Sequence, residues 1–118
     1  MEELERAVVE QAADLLLEII GMEGLDLGLR HSAGNLAQGF VRELKGSSYQ
    51  GDKTPDGLHD FAEKVEKSRK AVRRTFKTSV FKCLDEMELC VEKGYTPLTC
   101  RALTAICIGR QLIPFVPH

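Results

Sequence analysis

No run of apolar residues in this chain approaches the ~18–20 needed to cross a bilayer. The nearest candidate, Leu15–Ile20, is interrupted by Glu18. The chain opens on Glu2, Glu3 and Glu5 instead of a basic stretch ahead of an apolar one. No signal peptide is therefore expected, the expected address is cytoplasmic, and no membrane contact is foreseen. Apolar–polar alternation of useful length is missing throughout, which removes strands from the expected fold. The phosphate-loop pattern G-x-x-x-x-G-K followed by Ser or Thr has no match. His31, His59 and His118 stand in no ligand spacing with carboxylates. Asp56-x-x-His59 comes nearest to the inward Glu-x-x-His pairs of a di-iron bundle, and it lies at a helix start. His31 and Ser32 are chain neighbours and point to different helix faces, so they make no base–nucleophile pair. With these groups missing, neither enzyme activity nor a cofactor is expected.

What remains is material for one helical domain. A chain of 118 residues, 43% apolar and 29% charged, has the balance of an ordinary globular unit large enough for a real core. The first helix is expected over Glu2 to Met22, with Leu4, Val8, Ala12, Leu15 and Ile19 as its stripe and Val9, Ala13, Leu16 and Ile20 widening it. So broad an arc, with Phe115 and Val116 in the apolar tail Pro114–His118, predicts surface left over for self-association. Asp26 is a cap for a second helix, Leu27 to Leu44, whose Gly34 and Gly39 suggest a neighbouring backbone packed close. Lys45 to Gly57 is a polar loop that carries Tyr49.

From Leu58 to Val91, Leu58, Phe61, Val65, Ser68, Val72, Phe76, Ser79, Cys83, Met87 and Cys90 recur at steps of three and four. This predicts one long helix, or two sharing a shallow kink, roughly 50 Å in length. Thr54 and Pro55 mark its start, and Gly94, in the left-handed conformation, its stop. Tyr95 is then free to pack back. Thr96 and Pro97 begin a last helix running to about Ile113, ahead of Pro114. The expected architecture is all-α: a single antiparallel four-helix bundle over 1–118 in up-down-up-down order. Its expected core is Leu15, Ile19, Leu36, Phe40, Phe61, Val65, Val72, Phe76, Met87, Leu103 and Ile106.

Cys83 and Cys90 are seven residues apart, as are Cys100 and Cys107, and the two pairs stand symmetrically about Tyr95. A hairpin turning there sets Cys90 level with Cys100 and Cys83 level with Cys107. Two helical turns, ~10.5 Å, separate the levels, so the four sulfurs cannot share one tetrahedral zinc. Without a secretory signal they are expected as thiols that fill a core layer. The alternative is a pair of two-coordinate Cu(I) sites from Cys83, Cys90, Cys100 and Cys107. Helix axes about 8–10 Å apart make disulfides between facing positions awkward.

Charge is unevenly spread. Between Lys64 and Lys82 lie eight basic residues against the single acid Glu66, leaving eight against seventeen over the remainder. Lys64, Lys67, Lys70, Arg74 and Lys77 fall on the outer side of the long helix, with Arg69 and Arg73 at its flanks. A solvated face is the plain reading. Because it has almost no acids to pair with, the stripe is also a candidate phosphate contact, with Lys64, Lys67, Lys70, Arg73, Arg74 and Lys77 as nucleic-acid-binding residues. The alternative is a protein adaptor whose stripe meets an acidic surface, such as the Glu2–Glu5 segment of another copy.

Asn35-Leu36-Ala37-Gln38-Gly39-Phe40 resembles the N-x-A-x-G-F signature of a four-helix-bundle family. That family comprises proteins encoded in 23S ribosomal RNA intervening sequences and the accessory variability determinant (Avd) of diversity-generating retroelements. Helix order, Cys83-Leu84-Asp85-Glu86-Met87-Glu88 and the Gly94-Tyr95 turn are similar as well. The resemblance implies a ring-like homo-oligomer, commonly a pentamer, that works without catalysis. In the Avd branch it implies binding of nucleic acid and of a reverse transcriptase.

Overall fold

The computed structural model describes residues 2–46, 55–69 and 77–112, with side chains omitted at 55, 56, 69 and 77–79. Among these residues every regular element is helical: α1 (Glu3–Ile20), α2 (Leu27–Leu44), α3 (Pro55–Arg69), α4 (Lys77–Glu92) and α5 (Pro97–Arg110). The all-α expectation stands, but there are five helices where four were expected. No described helix is long and apolar enough to cross a membrane.

The extra helix comes from the expected long one. His59 and Phe81 are twenty-two residues apart, about 33 Å along a continuous helix. Their ring centroids lie 5.6 Å apart. The chain therefore reverses between α3 and α4. A molecule whose longest extent is 39 Å could not have held a helix of roughly 50 Å. The apolar spacing held for α3, where Leu58, Phe61 and Val65 reach the core; in α4 Cys83 is buried, Met87 and Cys90 are half-buried, and Val80, off the expected stripe, is buried as well. Spacing alone cannot register a reversal, because both halves present the same three-and-four period. Val72 and Phe76 lie outside the described residues.

The reversal changes the polarity of the whole. In a four-helix up-down bundle the last helix opposes the first; here α5 runs parallel to α1. Glu5, in the first turn of α1, accepts hydrogen bonds from Thr96 Oγ1 and from Thr99 Oγ1, the latter at 2.6 Å, at the start of α5. At the other end, a Cβ on Gly109 would stand 2.8 Å from Leu15 Cδ2 and 3.1 Å from Ile19 Cδ1. α1 and α5 thus approach closely where α5 has no side chain. Gly34 lacks this role: its Cβ would meet Ile20 Cδ1 at an ordinary 3.9 Å, while Gly39 is buried.

α5 packs on α1, α3 and α4. Its buried residues include Thr99, Cys100, Ala102, Thr104, Ala105 and Ile106. Steps of one and two cannot share one face of a helix, so α5 is buried on several sides. Small side chains make this close fit possible, and buried Thr104 satisfies its hydroxyl by donating to the Cys100 carbonyl at 2.7 Å. Ile108 of α5 is fully buried, as are Leu16, Ile19, Leu29, Leu58 and Phe61 of the other helices. Of the other expected core residues, Phe40, Val65 and Ile106 are buried, while Leu15, Leu36 and Met87 pack at its edge. Leu103 does not belong there: it is 41% exposed.

Caps follow the sequence. Asp26 accepts from the Leu29 amide at 3.3 Å, and Thr96 from the Thr99 amide at 3.2 Å, with Pro97 at the first position of α5. Gly94 closes α4 with φ +97°. Tyr95 does not pack back; it is exposed.

Candidate functional site

The four cysteines are joined as two disulfides, Cys83–Cys107 and Cys90–Cys100, with Cα–Cα distances of 5.8 and 5.7 Å. The level-by-level pairing expected from spacing is the one found, and both pairs of residue numbers sum to the same value, as an antiparallel ladder requires. The expectation of free thiols is corrected. Facing Cα atoms are closer than helix axes by two helix radii of about 2.3 Å each. Axes about 8–10 Å apart therefore leave about 3.4–5.4 Å between facing Cα atoms, near the range a disulfide spans. In this form no thiolate remains for Cu(I). Among the described residues no group of three or more His, Cys, Asp or Glu is placed to hold a metal ion.

The bridges compensate for a weakness in α4. Its charged residues run from Lys77 and Lys82 near the start to Asp85, Glu86, Glu88 and Glu92 near the end, opposite to what the helix dipole favours. Covalent attachment to α5 holds in place a helix that its own charges disfavour.

Beside the bridges lies a groove of about 990 Å³ between α1 and α4 with α5 as its floor. Leu4, Glu5 and Val8 form one wall; Glu86, Leu89 and Lys93 form the other. Thr99, Cys100, Leu103 and Cys107 line the floor, and Gly94-Tyr95 closes one end. Leu4, Leu89, Tyr95 and Leu103 are four of the seven exposed large apolar residues among those described. Sequence reasoning missed this surface. Its signal was present in Leu89 and Tyr95, which lie off every core stripe.

The basic stripe is not one face of one helix. Lys64 is half-buried, pairs with Asp60 at 3.3 Å, and lays its stem against Gly28 at the start of α2. Lys67 is exposed one turn further along α3, and Lys82 is exposed on α4. Lys77 is the first residue of α4, while Lys70, Arg73 and Arg74 lie outside the described residues. Because α3 ends and α4 begins at the same end of the bundle, the fold gathers the described part of the stripe there. Arg110 and the α1–α2 turn share that end, where Glu23 and Asp26 reduce the basic excess. Arg30 is occupied in that turn, donating to the Met22 carbonyl at 2.6 Å. The far end carries Glu2, Glu3, Glu5, Glu88 and Glu92, with Arg6, Arg42, Lys45 and Lys93 among them.

Of the histidines, His31 is exposed and His59 pairs with Glu63 at 3.5 Å, both away from the groove; His118 and Tyr49 lie outside the described residues. No protein-family model, characterised protein or solved structure matches the chain.

Proposed function

We propose that the protein is a non-enzymatic binding module that holds a polyanion, nucleic acid being the natural candidate, at the basic end of its bundle. The observation that carries this reading is the segment from Lys64 to Lys82, eight basic residues to one acid, whose described part lies at one end through the α3–α4 reversal. Phosphate contact is the use such an excess serves best, since each neutralised phosphate releases a counterion. Lys67, Lys70, Arg73, Arg74 and Lys77 are the contact residues, with Lys64 supporting through its pair to Asp60. The disulfide-bridged form belongs to an oxidising setting; in the cytoplasm expected from the sequence, the same chain would carry four thiols.

Titration of a fluorescent duplex at a series of salt concentrations tests this. About four phosphate contacts would give a log–log slope near −3.6. Lys67→Glu, Lys70→Glu and Arg74→Glu together should abolish binding while far-UV circular dichroism stays unchanged. Binding that ignores salt, or survives the triple reversal, would overturn the reading.

A further inference from the structure

We propose that the groove is a thiol-exchange site, in which the Cys90–Cys100 bridge takes up a small cationic thiol as a mixed disulfide on Cys90. This goes beyond polyanion binding and does not rest on it.

Both bridges open onto the groove, whose lining includes all four cysteines. Each bridge joins a half-buried cysteine to a buried one: Cys90 to Cys100, and Cys107 to Cys83. Exchange requires a thiolate to reach one sulfur while the other leaves with the electron pair of the broken bond. Access makes Cys90 and Cys107 the sulfurs open to attack, and Cys100 and Cys83 the ones released.

The surroundings separate the two bridges. Residues 91–97, which lead from Cys90 toward Cys100, are all exposed, so the inner bridge lies at the open end of the hairpin. Around the outer bridge, Val80, Thr104, Ala105, Ile106 and Ile108 are buried. A thiolate released on Cys83 is left among apolar groups, which is costly. One released on Cys100 lies a single turn from exposed Thr96 and Pro97, a shorter path to water. The incoming sulfur bonds to Cys90 Sγ as the bond to Cys100 breaks, and Cys100 Sγ keeps the electron pair and takes a proton from solvent. No outside oxidant or reductant is consumed, and the adduct is reversed when Cys100 attacks Cys90 Sγ and expels the thiol.

The rim sets the class of thiol. Among the described lining residues Glu2, Glu5 and Glu86 are acidic and Lys93 alone is basic. Glu86 stands one turn before Cys90 on the same face of α4. An ammonium group on the thiol is drawn to this rim and a carboxylate is repelled.

Thiol competition tests the proposal. The oxidised protein is mixed with excess cysteamine, mercaptoethanol or mercaptoacetate, quenched with acid, alkylated and mapped by tandem mass spectrometry. The adduct should fall on Cys90, with Cys100 free and Cys83–Cys107 intact, and the inner bridge should open about tenfold faster than the outer or more. Per thiolate, and corrected for basicity, cysteamine should react roughly tenfold faster than mercaptoacetate at low salt, with mercaptoethanol between them. Added salt, or Glu2→Gln with Glu86→Gln at these exposed positions, should bring that ratio toward one. If closure by Cys100 outruns the quench, Cys100→Ser holds the adduct: its Cys90 thiolate attacks cystamine, expels cysteamine and keeps the other half. An adduct on Cys100 or Cys107, the outer bridge opening first, a ratio unchanged by the glutamate variant, or no uptake of cystamine by Cys100→Ser overturns the proposal.

Discussion

Reduction of the two disulfides is the most informative single perturbation, because the cost follows from loop lengths. Cys90–Cys100 closes a separation of 10 residues and Cys83–Cys107 one of 24. The bridges are nested, so once the inner one is made the outer restrains only the remaining 14 residues. Chain-entropy closure then gives about 2.7 kcal/mol for the inner bridge and about 3.0 for the outer, together about 6 kcal/mol. That is a large share of the ~5–15 kcal/mol by which domains are stable. With an unfolding entropy of about 2.1 cal/mol/K per residue, the midpoint should fall by roughly 20 °C. The assay is urea unfolding followed by circular dichroism, with and without a phosphine reductant, complete reduction being verified by alkylation and mass. Cys83→Ala with Cys107→Ala should lose about 3 kcal/mol plus the packing of buried Cys83. A fully reduced chain within ~1 kcal/mol of the oxidised one would refute the loop-closure reasoning, which is itself a model of disulfide stabilisation.

Two glycines in helices should respond with opposite signs. Gly109→Ala gains about 1 kcal/mol of helix propensity but drives its Cβ into Leu15 and Ile19, so a net loss of about 1 kcal/mol is expected in denaturant unfolding. Gly34→Ala meets only an ordinary contact and should stabilise by about 0.5–1 kcal/mol in the same assay. Thr96→Ala removes the α5 cap and one of the hydroxyls that hold Glu5, and should cost about 1–2 kcal/mol.

Local signals in this sequence were legible and the global turn was not. Asp26, Gly94, Thr96 and Pro97 each specify a helix boundary by chemistry that involves only near neighbours, and each acts where expected. The three-and-four spacing identified the buried face of α3 for the same reason, and in α1 it found Ala12 and Ile19 but also took in Leu4, which is exposed. The α3–α4 reversal depends on which buried face meets which, and Phe61 and Cys83 fall on one stripe of a continuous helix whether or not the chain turns between them. Leu103 was misassigned through the same limit: its apolar character is visible in the sequence, but the width of the gap between α1 and α4 is not. The groove itself is a product of helix placement, so only its unplaced apolar residues could have announced it.

The ladder of bridges also fixes how the cysteines can sort themselves. Four cysteines allow three connectivities. Joining Cys83 to Cys90 and Cys100 to Cys107 would need bonds between positions about 10.5 Å apart along one helix, beyond disulfide reach. Joining Cys83 to Cys100 and Cys90 to Cys107 would demand two different registers of one hairpin at once. Only the observed pairing is compatible with both helices being formed. Oxidation of the helical hairpin therefore has one covalent product, with no isomer for a shuffling enzyme to correct.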